Sequence, residues 1–223
     1  MKILGIGNAI VDVICKVEDD FITKNELTKS TMKLIFDESE FNKLLSNLKI
    51  EKTVSGGSVA NSIVGLSQLG NEVGFIGKVN DDELGSKYED GLKQENVKYF
   101  YSKKKEDLPT GTCLILVTPD SERTMCTFLG TAGKINANDV NSNAIKQSEI
   151  ILLEGYLWDE GEPKKAFEKA IISANKVGFI GKVSNDDLGN KYEKGLKKRK
   201  CVIFLFKEER DSSYWDLFDI NYT

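Results

Sequence analysis

The apolar positions of the chain change period several times, and each change marks an element. In MKILGIGNAIVDVICKV, residues 1–17, Ile3, Leu4 and Ile6 form one short run and Ile10, Val11, Val13 and Ile14 another. With a glycine-containing turn between them, they predict two buried strands. Asn8 and Asp12 are the polar interruptions: either they bond local amides of the turn, or they face a ligand. In KTVSGGSVANSIVGLSQLG, residues 52–70, Val59, Ile63, Leu66 and Leu69 recur at helical spacing behind Gly56-Gly57. The glycines therefore stand at a helix N-terminus, where unpaired amides and the positive dipole end meet a backbone that a ligand can approach closely. Asn61, one turn in, lies near the same mouth, although a double glycine by itself also fits a plain strand-to-helix turn.

Further on, Val73 to Val79 predicts a strand, and a helix opens at Asn80 with Glu83 three residues later, a capping-box arrangement. From Val97 to Phe128 the pattern becomes the short β-rich runs YFYS, TCLILVT and RTMCTFL, separated by a charged loop and by Pro119-Asp120. These predict antiparallel strands in a lid or small second sheet, at about 97–130. Helix, strand and helix resume through INANDVNSNAIKQ, SEIILLEGYLW and EPKKAFEKAIISANK, with Pro163 suited to a first helical turn. The alternation argues for an α/β domain with a mostly parallel sheet. Glu154 ends the apolar strand Ile150 to Leu153, at the sheet edge where open α/β sheets place ligands; an acid there is also common without function.

One stretch occurs twice. NEVGFIGKVNDDELGSKYEDGLK at 71–93 returns as NKVGFIGKVSNDDLGNKYEKGLK at 175–197, identical at 17 of 23 positions. Two copies make neither a solenoid nor an array, so the chain reads as a recent duplication or a splice. It divides into residues 1–176, a duplicated strand–helix unit at 177–198 that copies 73–94, and a divergent tail at 199–223. The tail has two readings. If copy two once continued Lys-Lys-Glu-Asn-Val, one extra A in AAA AAA GAA AAT GTN yields Lys-Lys-Arg-Lys-Cys, the residues at 197–201, and everything from Arg199 to Thr223 is out of frame. A coding sequence without such an A-run contradicts this. Otherwise the tail is an ordinary divergent one, with Val202 to Phe206 a strand and Trp215, Leu217 and Phe218 packed on the body.

Composition narrows the chemistry. The 223 residues are 40 % hydrophobic and 30 % charged, enough for one large or two small globular domains. A net charge of −4 offers nucleic acid no basic face, and the run Lys197 to Lys200 reads as a solvated helix end. Cys15, Cys113, Cys126 and Cys201 are scattered without a Cys-x-x-Cys pair, as reduced cytoplasmic thiols are. No signal peptide and no apolar run of membrane length stands out, so a cytoplasmic protein without a membrane partner is expected. There is no histidine, which removes the commonest general base and metal ligand and every Ser-His or Cys-His pair.

Taken together, GNAIVD at 7–12, GGSVAN at 56–61, GFIGKVNDDELG at 74–85 and RTMCTFLG at 123–130 resemble the ribokinase/adenosine kinase (PfkB) family of ATP-dependent sugar and nucleoside kinases. The resemblance covers residues 1–176 and looks nearest to the adenosine-kinase-like bacterial branch. It implies a ribokinase-like doubly wound, mostly parallel sheet with a small β lid, incomplete at the C-terminal end. It also implies ATP and magnesium as cofactors and a sugar or nucleoside as the small-molecule partner. By that resemblance Asp12 and Asn61 hydrogen-bond sugar hydroxyls, while Asn8, Gly56, Gly57 and Ser58 line the same pocket. Arg123, on the lid strands, faces substrate or phosphate, or else makes a surface ion pair.

The family's catalytic half does not follow. Its late Gly-Ala-Gly-Asp stretch, whose Asp takes the proton from the attacking hydroxyl and whose amides hold the migrating phosphoryl group, has no counterpart in these residues. GTAGK at 130–134 lacks both the earlier glycine and the following Ser or Thr of a phosphate loop. Asn190 and Glu193 fit the family's Asn-x-x-Glu magnesium spacing, but they are the repeat's counterparts of Ser86 and Glu89, so the fit reads as coincidence. A missing general base costs ~10²–10⁴ in rate and a missing anion-hole donor ~10²–10³. The expectation is a kinase-family protein that keeps the sugar-binding half with little turnover, and no catalytic base or metal ligand is assigned. The alternative is a non-catalytic sugar- or nucleoside-binding protein, or a subunit that works as a homodimer or with a complementing chain.

Overall fold

The computed structural model describes residues 1–157, 161–174, 177–184, 201–208 and 217–219, with Glu154, Tyr156 and everything from 177 onward described as backbone only. In chain order the first strands are β1 (Ile3–Ile6), β2 (Ile10–Lys16), β3 (Met32–Ile35), β4 (Ile50–Gly56), β5 (Val73–Ile76) and β6 (Lys98–Tyr99). They are followed by β7 (Thr112–Val117), β8 (Arg123–Phe128), β9 (Ile150–Glu154), β10 (Val177–Ser184), β11 (Cys201–Glu208) and β12 (Leu217–Asp219). The helices are α1 (Asp19–Lys24), α2 (Glu38–Leu45), α3 (Ser58–Gln68), α4 (Glu83–Gln94), α5 (Ser142–Lys146) and α6 (Glu162–Ser173).

Seven strands form one sheet in the order β12-β11-β10-β9-β1-β5-β6, parallel throughout except for β12. β1 is central because its residues alternate between two cores. On one face Phe75 and Val73 pack with Val59 and Ile63 of α3 and Tyr88 and Leu92 of α4. On the other, Leu4 and Ile6 pack with Phe167, Ala170 and Ile171 of α6 and Ile145 of α5. α3 lies so close that a Cβ at Gly5 would meet Val59 and Ile63 at 2.6 Å, which explains the glycine in mid-strand. The chain winds outward from β1 to β5 and β6, then returns to its other side at β9. The ends of β1 and β9 thus form the switch point where such sheets carry ligands.

The second sheet, in the order β3-β8-β7-β2-β4, is larger than the stretch 97–130. It takes three strands from the first 56 residues, because Val11, Val13, Cys15, Leu114, Leu116 and Cys126 all turn one face into the body's core. YFYS, expected as a lid strand, instead belongs to the edge of the large sheet. Tyr99 pairs with Phe75, its ring lies 6.4 Å from the Phe75 ring, and its hydroxyl donates to the Gly77 carbonyl at 2.6 Å.

The helix after β5 also begins differently from its capping-box reading. Asp82, not Asn80, is the N-cap, and its carboxylate accepts from the Gly85 amide at 2.7 Å and from the Thr110 amide and hydroxyl. Asn80 turns to the segment 100–111, bonding the Glu106 amide and the Glu106 and Leu108 carbonyls. The same turn carries Lys78, 4 % exposed, between Glu106 at 3.1 Å and Asp139 at 3.3 Å. The motif at 74–85 is therefore a clamp on the segment that leads into β7. Removing one partner from a buried network of this kind costs ~3–5 kcal/mol.

The stretch INANDVNSNAIKQ gives two short turns, each started by an asparagine side chain: Asn136 caps the 3₁₀ turn Ala137–Asp139 and Asn141 caps α5. Pro163 sits in the first turn of α6. Cys15, Cys113 and Cys126 are free and buried. The stretch Val202 to Phe206 falls within β11. Asn190, Glu193, the run Lys197 to Lys200 and Trp215 lie outside the described residues.

Candidate functional site

Two connections between the sheets touch each other and build the site. The first, Gly7 to Ala9, leads from β1 into β2; the second, Gly56-Gly57, leads from β4 into α3. Gly57 has φ 99°, the left-handed region that favours glycine, and a Cβ there would overlap the Asn8 carbonyl oxygen. A Cβ at Gly56 would likewise overlap the Asp12 carboxylate. The double glycine thus lets both connections pass at backbone contact. Tyr88 steadies the crossing, donating its buried hydroxyl to the Gly56 carbonyl at 3.2 Å. Asn8 is 7 % exposed.

Asp12, on β2, lies level with Val54 on β4 and Cys113 on β7, and Cys113 lies level with Thr127 on β8. Burial pushes the Asp12 carboxyl up to about 6 from the usual 3.8. Burial also pushes the Cys113 thiol up to about 11, offset by the Thr127 hydroxyl that donates to its sulfur at 3.2 Å and reinforced by the Asp12 charge. Beside this row Ile10, Cys113 and Ala132 form a small apolar wall with Leu129 and Ile115 packed on it. The site joins one desolvated acid to bare glycine backbone and an apolar surface. That combination suits a small molecule with adjacent hydroxyls on one edge.

Asn8, Asp12, Gly56 and Gly57 are brought together, and Ser58 and Asn61 follow on the exposed first turn of α3, where the Asn61 amide closes the helix on the Gly57 carbonyl at 2.9 Å. Glu154 ends β9 one residue beyond the Ile6–Leu153 pair, which sets its backbone level with Gly7, just before Asn8. Arg123 is not with them. It is exposed and pairs with Val117, four residues along β8 from the Thr127 row, or roughly 13 Å at strand spacing. Cys113, Thr127 and the apolar wall were not singled out in the sequence. Only β-strand register could have found them, by aligning TCLILVT against Asp12.

The loop GTAGK forms a 3₁₀ turn in which two amides are already bonded: Thr131 donates to the Pro109 carbonyl at 2.9 Å and Ala132 to the Leu129 carbonyl at 3.0 Å. Among the described residues no group of three or more His, Cys, Asp or Glu converges to hold a metal ion. No helix among them is long and apolar enough to cross a membrane.

Residues 22–185 match the family described as pfkB family carbohydrate kinase. The chain belongs to the pfkB family. Its relatives include proteins named 5-dehydro-2-deoxygluconokinase, from Mesomycoplasma hyopneumoniae (strain 7448) at 27 % identity over 166 residues and from Clostridium botulinum (strain Eklund 17B / Type B) at 31 % over 149. The matches take in 74 % and 65 % of this chain but 48 % and 44 % of those relatives, so the chain spans about half their length. The adenosine kinase of Sinorhizobium meliloti superposes with a TM-score of 0.75 at 25 % identity, over all of this chain and 80 % of that one. A probable sugar kinase from Rhizobium etli gives 0.74 at 25 %, over 92 % and 73 %. The mixed α/β architecture is that of these pfkB-family kinases, which use ATP, typically with magnesium. Two amides of GTAGK are bonded within the protein, and these residues contain no Gly-Ala-Gly-Asp stretch.

The raised Asp12 carboxyl sets a stability prediction for the unliganded protein. Its folded pKa lies above the ordinary value, so the ionised group opposes folding above about pH 6 and ceases to do so as pH falls toward 3.8. Asp12→Asn is expected to melt at a higher temperature than wild type at pH 8, with the gap narrowing as pH falls below 6 toward 3.8, in a fluorescence melting series.

Proposed function

We propose that this chain is the substrate-binding half of a pfkB-type sugar or nucleoside kinase and has little or no phosphoryl-transfer activity as it stands. The observation that carries the reading is the desolvated Asp12 carboxyl facing the bare Gly56-Gly57 backbone. An ionised carboxylate accepts two hydroxyl protons at once, and each such charged hydrogen bond is worth ~1.5–3 kcal/mol when both partners leave water. Asn61, on the first turn of α3, supplies an amide able to donate and accept beside it. The helix N-terminus adds a fixed positive potential that favours the carboxylate's partner oxygens. The group phosphorylated in a complete kinase would be a hydroxymethyl group of the same ligand. Glu154, by its backbone position near Asn8, is assigned to the pocket's rim, and Arg123, at the far end of β8, is assigned to solvent or to a ligand larger than a monosaccharide.

ATP supplies the phosphoryl group in the family. The family's Gly-Ala-Gly-Asp stretch, which takes the hydroxyl proton and binds the transferred group, does not occur in these 223 residues. Phosphoryl transfer rests on positioning and charge stabilisation, which in the family that stretch supplies.

Two measurements on the purified 223-residue protein test this. With magnesium, ATP and a panel of nucleosides, pentoses and ketogluconate-type sugars, no substrate-dependent ADP release is expected; release at ordinary kinase rates would show a working enzyme. Calorimetric titration of the same panel is expected to find a ligand. Its affinity should fall about tenfold between pH 7 and pH 5, because a group with a pKa near 6 is mostly protonated at pH 5. Asp12→Asn should bind more weakly and lose the pH dependence.

A further inference from the structure

The two copies of the repeat are matched where burial demands it. Every position buried in copy one, from the strand Val73 to Val79 through Gly85, Tyr88 and Leu92 on α4, carries the same residue in copy two. The six differences fall at positions 72, 80, 81, 83, 86 and 90, which are exposed or partly exposed. Copy two therefore contains the whole buried surface needed to occupy the copy-one slot. The losses are polar: Ser184 replaces the Asn80 that bonds Glu106 and Leu108, Asn190 replaces the Ser86 that accepts from Lys103, and Lys176 replaces the Glu72 that pairs with Lys98 and the N-terminus.

Register gives a second, independent observation. β5 lies on β1 with Ile3 opposite Val73 and Ile6 opposite Ile76, and β10 lies on β9 with Ile151 opposite Val177 and Glu154 opposite Ile180. The outer neighbours repeat this as well. Gly74 and Phe75 face Lys98 and Tyr99, and their counterparts Gly178 and Phe179 face Val202 and Ile203. The strand pairs match residue for residue across an identical chain length, including the stretch beyond Lys197 where the sequences diverge. Copy two can thus bring β11 into the place of β6 with no change of register.

We propose that copy two of one chain exchanges into the copy-one slot, beside β1, of a second copy of this chain. The exchange is reciprocal about a two-fold axis, so it closes at a dimer. Within one chain the short link from α3 holds copy one in its slot at high effective concentration, so the exchanged form grows with protein concentration and with any damage to copy one.

The test uses the full chain with substitutions at the matched phenylalanines. Phe75 is fully buried in its slot. Phe75→Asp is expected to fold as a dimer, seen by light scattering after chromatography, while Phe179→Asp alone remains monomeric. Phe75→Asp/Phe179→Asp should lose the cooperative melt. A folded monomer of Phe75→Asp, or one indistinguishable from the double variant, overturns the proposal. The milder Phe75→Ala keeps the test open if the charged variant does not fold. Its dimer fraction after refolding at ~100 µM should exceed wild type severalfold, whereas Phe179→Ala should not raise it; equal fractions for the two overturn the exchange.

Discussion

Contact between the Gly57 backbone and the Asn8 carbonyl is the constraint on which the site depends. The chain passes from one sheet to the other at several points, and at two of them the backbones must cross within van der Waals distance. Only a residue without a Cβ, held at positive φ, fits that crossing. Because the crossing is tight, β4 leads straight into α3, whose first turn is presented beside Asp12. Because Gly5 is also bare, α3 settles closely on β1 and brings that turn to the switch point of the sheet. Three glycines thus let the two layers and α3 approach one another at backbone contact.

The second sheet is not an appendage. Its inner face is part of the main core, with Val11, Val13, Leu114 and Leu116 packed among the residues of α3 and α4, so the wall bearing Asp12 is built on a rigid base. The segment 100–111, which feeds β7, is fixed by Asn80, Asp82 and the buried Lys78 between Glu106 and Asp139. A desolvated acid such as Asp12 opposes folding, and this densely bonded surround is what offsets it.

Much of this was legible in the sequence because period and turn chemistry are local. The runs around Ile3, Val73 and Ile150 gave the parallel strands, Gly56-Gly57 gave the start of α3, and Pro163 gave the start of α6. What was not legible depends on register between distant segments. Tyr99 joins the large sheet because its ring finds Phe75 and Tyr88, a contact that the run YFYS does not announce. Asp82 outcompetes Asn80 as a cap because Thr110, 28 residues away, gives its carboxylate two further donors. The placing of Cys113 beside Asp12, and of Arg123 away from it, follows from the β2–β7–β8 ladder alone. Lys78 stood inside an apolar run, a mark of a buried cation, but its partners at 106 and 139 could not be read from spacing.

Gly57→Ala is the most direct test of ligand binding at the glycine crossing. A methyl group there meets the Asn8 carbonyl and forces a left-handed alanine, a strain of ~1–2 kcal/mol before the overlap is counted. Titration calorimetry on this variant, with the sugar or nucleoside that binds wild type, should show affinity lost by at least tenfold while the far-ultraviolet circular dichroism stays that of the folded protein. Wild-type affinity in a folded Gly57→Ala protein would contradict the account, because the ligand would then bind somewhere other than this crossing.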